Sequence, residues 1–148
     1  MTQSPRPRDV VLRLLHAAIS PHPEDMADCY AADVVIEMPF AIPGIMPQRT
    51  QTTREDLRAR FASGSAIRRY TNLGRSVIHE TTDPEVIIAD YDLQGHLVAT
   101  GETFTMSFLM ILTIRDGHIT HSRDYTDPIA GARALGRVPQ LIDALNAT

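Results

Sequence analysis

The chain has 148 residues, 43% of them apolar and 22% charged, and a formal net charge of −4. That is the size of a single domain, able to bury about 68–70% of its unfolded surface without disulfides or metals. An acidic balance with few aromatics and no basic run argues against a nucleic-acid partner. No window approaches 18 apolar residues, which argues against a membrane partner.

Residues 1–8 are polar, hold two prolines and read as a flexible N-terminal arm, leaving residues 9–148 as one domain. Asp9 is placed to cap a first helix running to about Ser20, with Val11, Leu14, Leu15 and Ala18 on one stripe. Pro23 suits the first turn of a short second helix that turns Met26, Cys29 and Tyr30 inward. Asp33 to Met38 reads as a strand. The stretch PFAIPGIMPQRTQ from Pro39 to Gln51 is too rich in proline for regular structure. It reads as an apolar loop in which Phe40, Ile42, Ile45 and Met46 are set to close over a ligand or to pack beneath the loop. Thr52 and Glu55 have the spacing of a capping box for a third helix to about Ser63, with Leu57 and Phe61 as its core pair.

Strands follow. Tyr70 to Glu80 is one and Glu85 to Leu93 the next, with Gln94-Gly95 read as a turn. A long strand from about His96 to Ile114 then alternates Phe104, Met106, Phe108, Met110 and Leu112 against Thr103, Thr105 and Ser107, giving one apolar and one polar face. Asp116-Gly117 is a turn, Ile119 to Tyr125 is the last strand, and Pro128 opens a short C-terminal helix that stops at Gly136. The order predicts an α+β fold: three N-terminal helices packed on a curved antiparallel sheet, with a short C-terminal helix. A sheet covered on one face only is expected to pair through the other, giving a homodimer through the convex face.

The candidate chemistry centres on Asp124. It shares a strand face with Ser122 and Thr120, while His121, Arg123 and Tyr125 take the other. With the even face concave, Asp124 looks among Phe104, Met106, Phe108 and Met110. There, loss of water would raise its pKa and fit it for acid or base work near neutrality. The bland reading is a strand-end Asp bonded to backbone or to an arginine. Asp90 and Asp92 share a face one strand away and read either as an acid/base couple or as an interface Asp and a solvated one. Tyr70 and Tyr91 are candidate donors to a ligand oxygen, or simply packing residues. His118 and His121 point to opposite faces with no third ligand nearby, so no metal is expected. Cys29 has no partner for an internal disulfide and fits a reducing cytoplasm. The N-terminus lacks the apolar stretch of a secretory signal, so the expected location is cytoplasmic. All 14 basic residues are arginine, read as coding bias.

Three stretches carry a family resemblance: Tyr30-Ala31-Ala32-Asp33-Val34-Val35-Ile36-Glu37-Met38-Pro39; His79-Glu80-Thr81-Thr82-Asp83-Pro84 leading into Ile88-Ala89-Asp90-Tyr91-Asp92; and Arg123-Asp124-Tyr125-Thr126-Asp127-Pro128 with the tail Arg133 to Gln140. Over roughly residues 8–142 the chain resembles the SnoaL-like branch of the nuclear transport factor 2-like (ketosteroid isomerase-like) superfamily. Its detail is nearest the phenazine-biosynthesis A/B proteins. The resemblance implies a cone with an apolar interior. The ketosteroid isomerases' first-strand base falls at Met38 and their helix-1 tyrosine at Leu14, both apolar here. The strand-end acid/base Glu of the phenazine proteins falls at Asp124, and their pocket tyrosine at Phe104. Their pocket histidine has no match between Leu57 and Arg69.

The expected function is a small cofactor-free enzyme doing acid/base chemistry on a hydrophobic carbonyl compound of secondary metabolism. The reaction would be cyclisation, isomerisation, dehydration or condensation. Asp124, Asp90 and Tyr91 are its expected catalytic residues. Leu14, Met38, Phe40, Tyr70, Phe104, Met106, Phe108, Met110 and Ser122 are expected to bind the skeleton. The alternative is a non-catalytic binding or accessory protein of the same fold.

Overall fold

Proline sets the first helix. Pro7 has no N–H to leave unpaired at a helix start and its φ is already helical, so α1 (Pro7–Ala18) begins there, two residues before the expected Asp9. Asp9 instead sits in the first turn, where Arg6 donates to it at 2.9 Å. The computed structural model describes residues 3–147, so Met1 and Thr2 of the expected arm, and Thr148, lie outside the described residues. One stripe of α1, formed by Val10, Val11, Leu14, Leu15 and Ala18, is buried. The second helical segment, Pro23–Cys29, is a 3-10 helix. Cys29 and Tyr30 are buried as expected, but Tyr30 already belongs to β1 (Tyr30–Glu37).

The proline-rich loop is shorter than expected. Its last residues form β2 (Arg49–Thr53), a polar edge strand that pairs antiparallel with β1. The sequence RTQTT has no apolar alternation because both of its faces are largely wet, which is why the pattern hid it. Thr53, one residue beyond the expected cap, accepts from the Asp56 N–H at 3.2 Å and starts α2 (Arg54–Ser65). Leu57 is its one fully buried side chain.

The long strands are β3 (Arg68–Glu80), β4 (Val86–Leu97), β5 (Thr103–Arg115) and β6 (His118–Thr126). Gly95 is not a turn residue. β4 runs through it, and the chain reverses at 98–102 instead. Glycine is needed at 95 for closeness: a Cβ there would lie 2.2 Å from the Arg69 carbonyl oxygen, beside a bulge in β3 between Tyr70 and Asn72. After β6 come two helices rather than one. In α3 (Pro128–Ala134) Asp127 caps the Ile129 and Ala130 N–H groups, and Gly136, with φ +66, ends the turn. α4 (Val138–Asn146) follows and buries Leu141.

Among the described residues the strands form one six-stranded sheet in the order β2-β1-β6-β5-β4-β3. It is mixed rather than antiparallel, because β1 runs parallel to β6, while the other ladders are antiparallel. The fold is α+β, with helices on one face of a curved, bulged sheet. α1, the 3-10 helix and α2 cover that inner face, and the core lies between. Val11, Leu15, Leu57, Leu112, Ile114 and Ile119 sit at its centre, each at most 2% exposed. Each fully buried aliphatic side chain of this kind contributes about 1.5–3 kcal/mol.

Candidate functional site

The inner face of β5 and β6 descends in layers. Phe108 pairs with Thr126, Met110 with Asp124, and Leu112 with Ser122. The first rung lines an apolar cavity of about 630 Å³, together with Met38, Tyr70, Phe104 and Met106. The second rung lies two residues deeper, roughly 7 Å along the strand. The third is sealed core, with Leu112 and Ser122 both fully buried. Asp124 therefore sits one side-chain layer below the cavity floor, between Phe108 and the core.

Asp124 is half-buried, and among the described residues no basic side chain is bonded to it. Its Oδ1 accepts a short hydrogen bond from the buried Ser122 hydroxyl. Burial pushes its carboxyl up to about 6. The Ser122 bond and the more distant His121 pull the other way without cancelling that effect. A carboxyl poised there is half charged just below neutral pH and serves as either proton donor or acceptor.

Two tyrosines share this interior. Tyr91 faces Phe108 across the β4–β5 ladder, stacks on it at 5.2 Å and 18°, and donates its hydroxyl to Met110 Sδ at 2.9 Å. Burial, and next the charge of Asp124, raise its pKa, so it remains a neutral O–H donor. Its present acceptor is a weak one, a thioether. Tyr30, fully enclosed, is raised by the same two causes, burial foremost. Tyr30 was expected only as core. Its signal was its pairing with Ile119 across the parallel β1–β6 ladder, which the sequence pattern did not reveal.

Other expected site residues divide between the two faces and the core. Met38, Tyr70, Phe104, Met106 and Phe108 line the cavity, and Met110 and Ser122 flank Asp124 below it. Leu14 is core, 3% exposed and outside the cavity wall. Phe40 is 59% exposed and packs edge-on against Tyr125 at 5.3 Å, away from the cavity, because Tyr125 points out of the cone. Ile42, Ile45 and Met46 of the same loop do line the cavity.

Asp90 is a correction. Strand alternation turns it away from Ala89 and Tyr91 to the outer face, where Arg75 Nη1 lies 2.9 Å from its carboxylate. That hydrogen bond and charge hold it below the usual carboxylate range. Asp92, on the same face, accepts from Ser107 at 2.7 Å. Neither reaches Asp124's side of the sheet. Glu37 is likewise outside, held by His121 at 2.7 Å, Arg123 at 3.0 Å and Arg49 at 3.3 Å.

Sequence reasoning missed that the C-terminal segment completes the cavity. Pro128, Ala132, Leu135 and Gln140 contribute walls, and Arg68, Asp127 and Arg137 are its charged lining residues. The sequence did signal the helix α4, where Val138, Leu141, Ile142 and Leu145 recur at helical spacing, but none of these four lines the cavity.

The family model of the SnoaL-like domain matches residues 11–122, ending two residues before Asp124. Bacillus subtilis strain 168 has an uncharacterised protein, YesE, that is 30% identical over 59 residues; the aligned stretch spans 40% of this chain and 40% of YesE. An uncharacterised PhzA/B-like protein of Pseudomonas aeruginosa is 26% identical over 111 residues, 75% of this chain and 77% of its own length. Among solved structures, a proposed isomerase from Bacillus subtilis superposes with TM-score 0.75 at 20% identity, covering 90% of this chain and 97% of that one. A phenazine biosynthesis-related protein of Pseudomonas aeruginosa superposes at 0.69 and 17% identity, covering 88% and 80%. A proposed polyketide cyclase of Pseudomonas putida does so at 0.72 and 14%, covering 88% and 98%. These likenesses establish the shared fold, and with three quarters of its length matched by the family model, the chain belongs to the SnoaL-like domain family.

Proposed function

We propose that the protein is a small cofactor-free cyclase- or isomerase-like enzyme acting by acid/base catalysis on a hydrophobic carbonyl compound of secondary metabolism. The observation that carries this reading is the isolation of Asp124: an unpaired carboxyl raised to about 6, one layer below a large apolar cavity. In its charged form Asp124 takes a proton from carbon next to a carbonyl. Tyr91 gives up its weak bond to Met110 and donates to the developing enolate oxygen. Asp124 then returns the proton at another atom, which completes an isomerisation or drives ring closure or dehydration. Met110 is the plug in this scheme. It faces Asp124 across the ladder and holds the Tyr91 hydroxyl, and as an unbranched thioether it repacks at low cost.

A binding or accessory role is the second reading, and one observation favours it: Asp124 and Tyr91 lie beneath the cavity floor rather than in its wall. Outer-face residues such as Leu109, 37% exposed, are consistent with pairing of two copies through the convex sheet face, which we include in the proposal as a homodimer.

The test is proton exchange at the α-carbon of 1-tetralone in D2O, followed by NMR. The acid/base reading expects exchange above the solvent rate that Asp124→Asn abolishes while 1-tetralone binding is kept. Exchange at the solvent rate, or exchange indifferent to Asp124→Asn, would leave the binding role as the account of this cavity.

A further inference from the structure

Five arginines are half-buried among the described residues: Arg54, Arg58, Arg68, Arg69 and Arg123. Four have a strong acceptor. Arg54 donates to the Tyr30 carbonyl at 2.8 Å and Arg69 to the Pro21 carbonyl at 3.1 Å. Arg58 pairs with Asp28 and Arg123 with Glu37. Arg68 differs. Its Nε donates to the Tyr70 hydroxyl at 3.1 Å, and among the described residues its two Nη groups meet no carboxylate or carbonyl. The guanidinium lies over the Tyr70 ring, 5.7 Å from its centroid. It stands in the wall between the 630 Å³ cavity and a smaller one of about 60 Å³ against α2.

A second guanidinium, Arg137, lines the same cavity at its exposed rim and also forms no ion pair among the described residues. The one carboxylate in the cavity wall, Asp127, is already engaged: its Oδ1 accepts from the Ile129 and Ala130 N–H groups at 2.9 and 3.1 Å. A mainly apolar cavity thus carries two cations against one carboxylate, a surplus of positive charge in a protein whose net charge is −4. A bound anion accepts from such free N–H groups, and a planar guanidinium suits a carboxylate best.

The position of Arg68 adds a length. Tyr70 packs edge-on against Phe104 at 5.9 Å and against Phe108 at 6.3 Å, whereas Asp124 lies opposite Met110. Two to six residues of β5 separate these levels, roughly 7–20 Å of strand.

We propose that the cavity selects an elongated apolar acid, its carboxylate held by Arg68 with Arg137 at the rim and its reacting carbonyl end directed toward Asp124. The proposal rests on the acid/base reading only for the role of Asp124. Calorimetry with biphenyl-4-carboxylate and its neutral isostere biphenyl-4-carboxamide tests it. Charge-assisted hydrogen bonds of this kind lead us to expect the acid to bind about 10–100-fold more tightly than the amide at low salt. Arg68→Gln should bring the two near parity, and Arg137→Gln, at an exposed position that packs against little, should narrow the preference several-fold and weaken its salt dependence. Equal binding of acid and amide, no binding of either, or a preference untouched in both variants overturns the proposal. Should Arg68→Gln fail to fold, an unchanged preference in Arg137→Gln overturns it alone.

Asp124→Asn separates the two ideas. Lost tetralone exchange in that variant, with no acid preference in the wild type, sinks only the carboxylate site. A clear acid preference, with exchange indifferent to Asp124→Asn, sinks only the acid/base role.

Discussion

The two faces of this sheet treat the same functional group in opposite ways. Outside, Glu37 is gripped by His121, Arg123 and Arg49, and Asp90 by Arg75, and both carboxyls are held below their ordinary range. Inside, Asp124 has a serine hydroxyl and apolar neighbours, and its carboxyl is raised to about 6. Arg123 and Asp124 are adjacent in sequence, yet alternation sends the cation to the outer network and leaves the acid without it. Reactivity here comes from withholding partners, while stabilising charge pairs are confined to the face with water.

The sharpest way to break this contrast is to remove the inner carboxyl. Asp124→Asn should lower tetralone exchange by about 10²–10⁴-fold, the usual worth of a positioned acid/base group. In the wild type the exchange rate should rise with pH to a plateau with a midpoint near 6, because the charged form is the base. A flat profile between pH 5 and 8 would separate the carboxyl from the chemistry.

The same variant should alter stability with a definite sign. A carboxyl raised from 3.8 to about 6 holds its proton in the folded state through a range where the unfolded chain has lost it. Stability therefore falls as pH rises from about 4 to 6, and the penalty stays constant above that. Its ceiling is about 3 kcal/mol, since each pKa unit is about 1.36 kcal/mol, and partial exposure reduces it. Asp124→Asn should accordingly raise Tm at pH 8 by several degrees, at roughly 2–4 °C per kcal/mol. That gain should shrink toward zero by pH 4. A loss of stability at pH 8 would contradict the desolvated environment.

Ser122→Ala makes a smaller change. It removes the hydrogen bond that draws the Asp124 carboxyl down, so the midpoint of the exchange profile should move upward, while the base remains. A downward shift would mean that Ser122 serves the neutral acid instead. Smallest of all is the outer control. Asp90→Asn breaks the Arg75 pair on the wet face and should leave exchange at the wild-type rate. A large loss there would restore Asp90 to the site.

The legibility of all this in the sequence follows the physics of each segment. β5 and β6 bury one face only, so period-two alternation marked Phe104 to Met110, and placed Asp124 and Ser122 on one side and Arg123 and Tyr125 on the other. The same rule applied to Asp90 would have set it opposite Tyr91, with the outer residues. β2 escaped notice because an edge strand wet on both faces has no pattern. Gly95 misled because glycine marks close backbone approach as readily as a turn. The parallel pairing of β1 with β6 is a long-range choice that no local signal carries. Arg68 could be ranked only by the acceptors it lacks, which requires coordinates.

The most direct measurement is a carboxyl-carbon NMR titration of wild-type protein with labelled aspartate and glutamate. This account predicts that Asp124 titrates near 6, while Asp90 and Glu37 titrate below their ordinary values. A midpoint for Asp124 at its ordinary value of 3.8 would contradict the claim that the inner face deprives its carboxyl of partners and water.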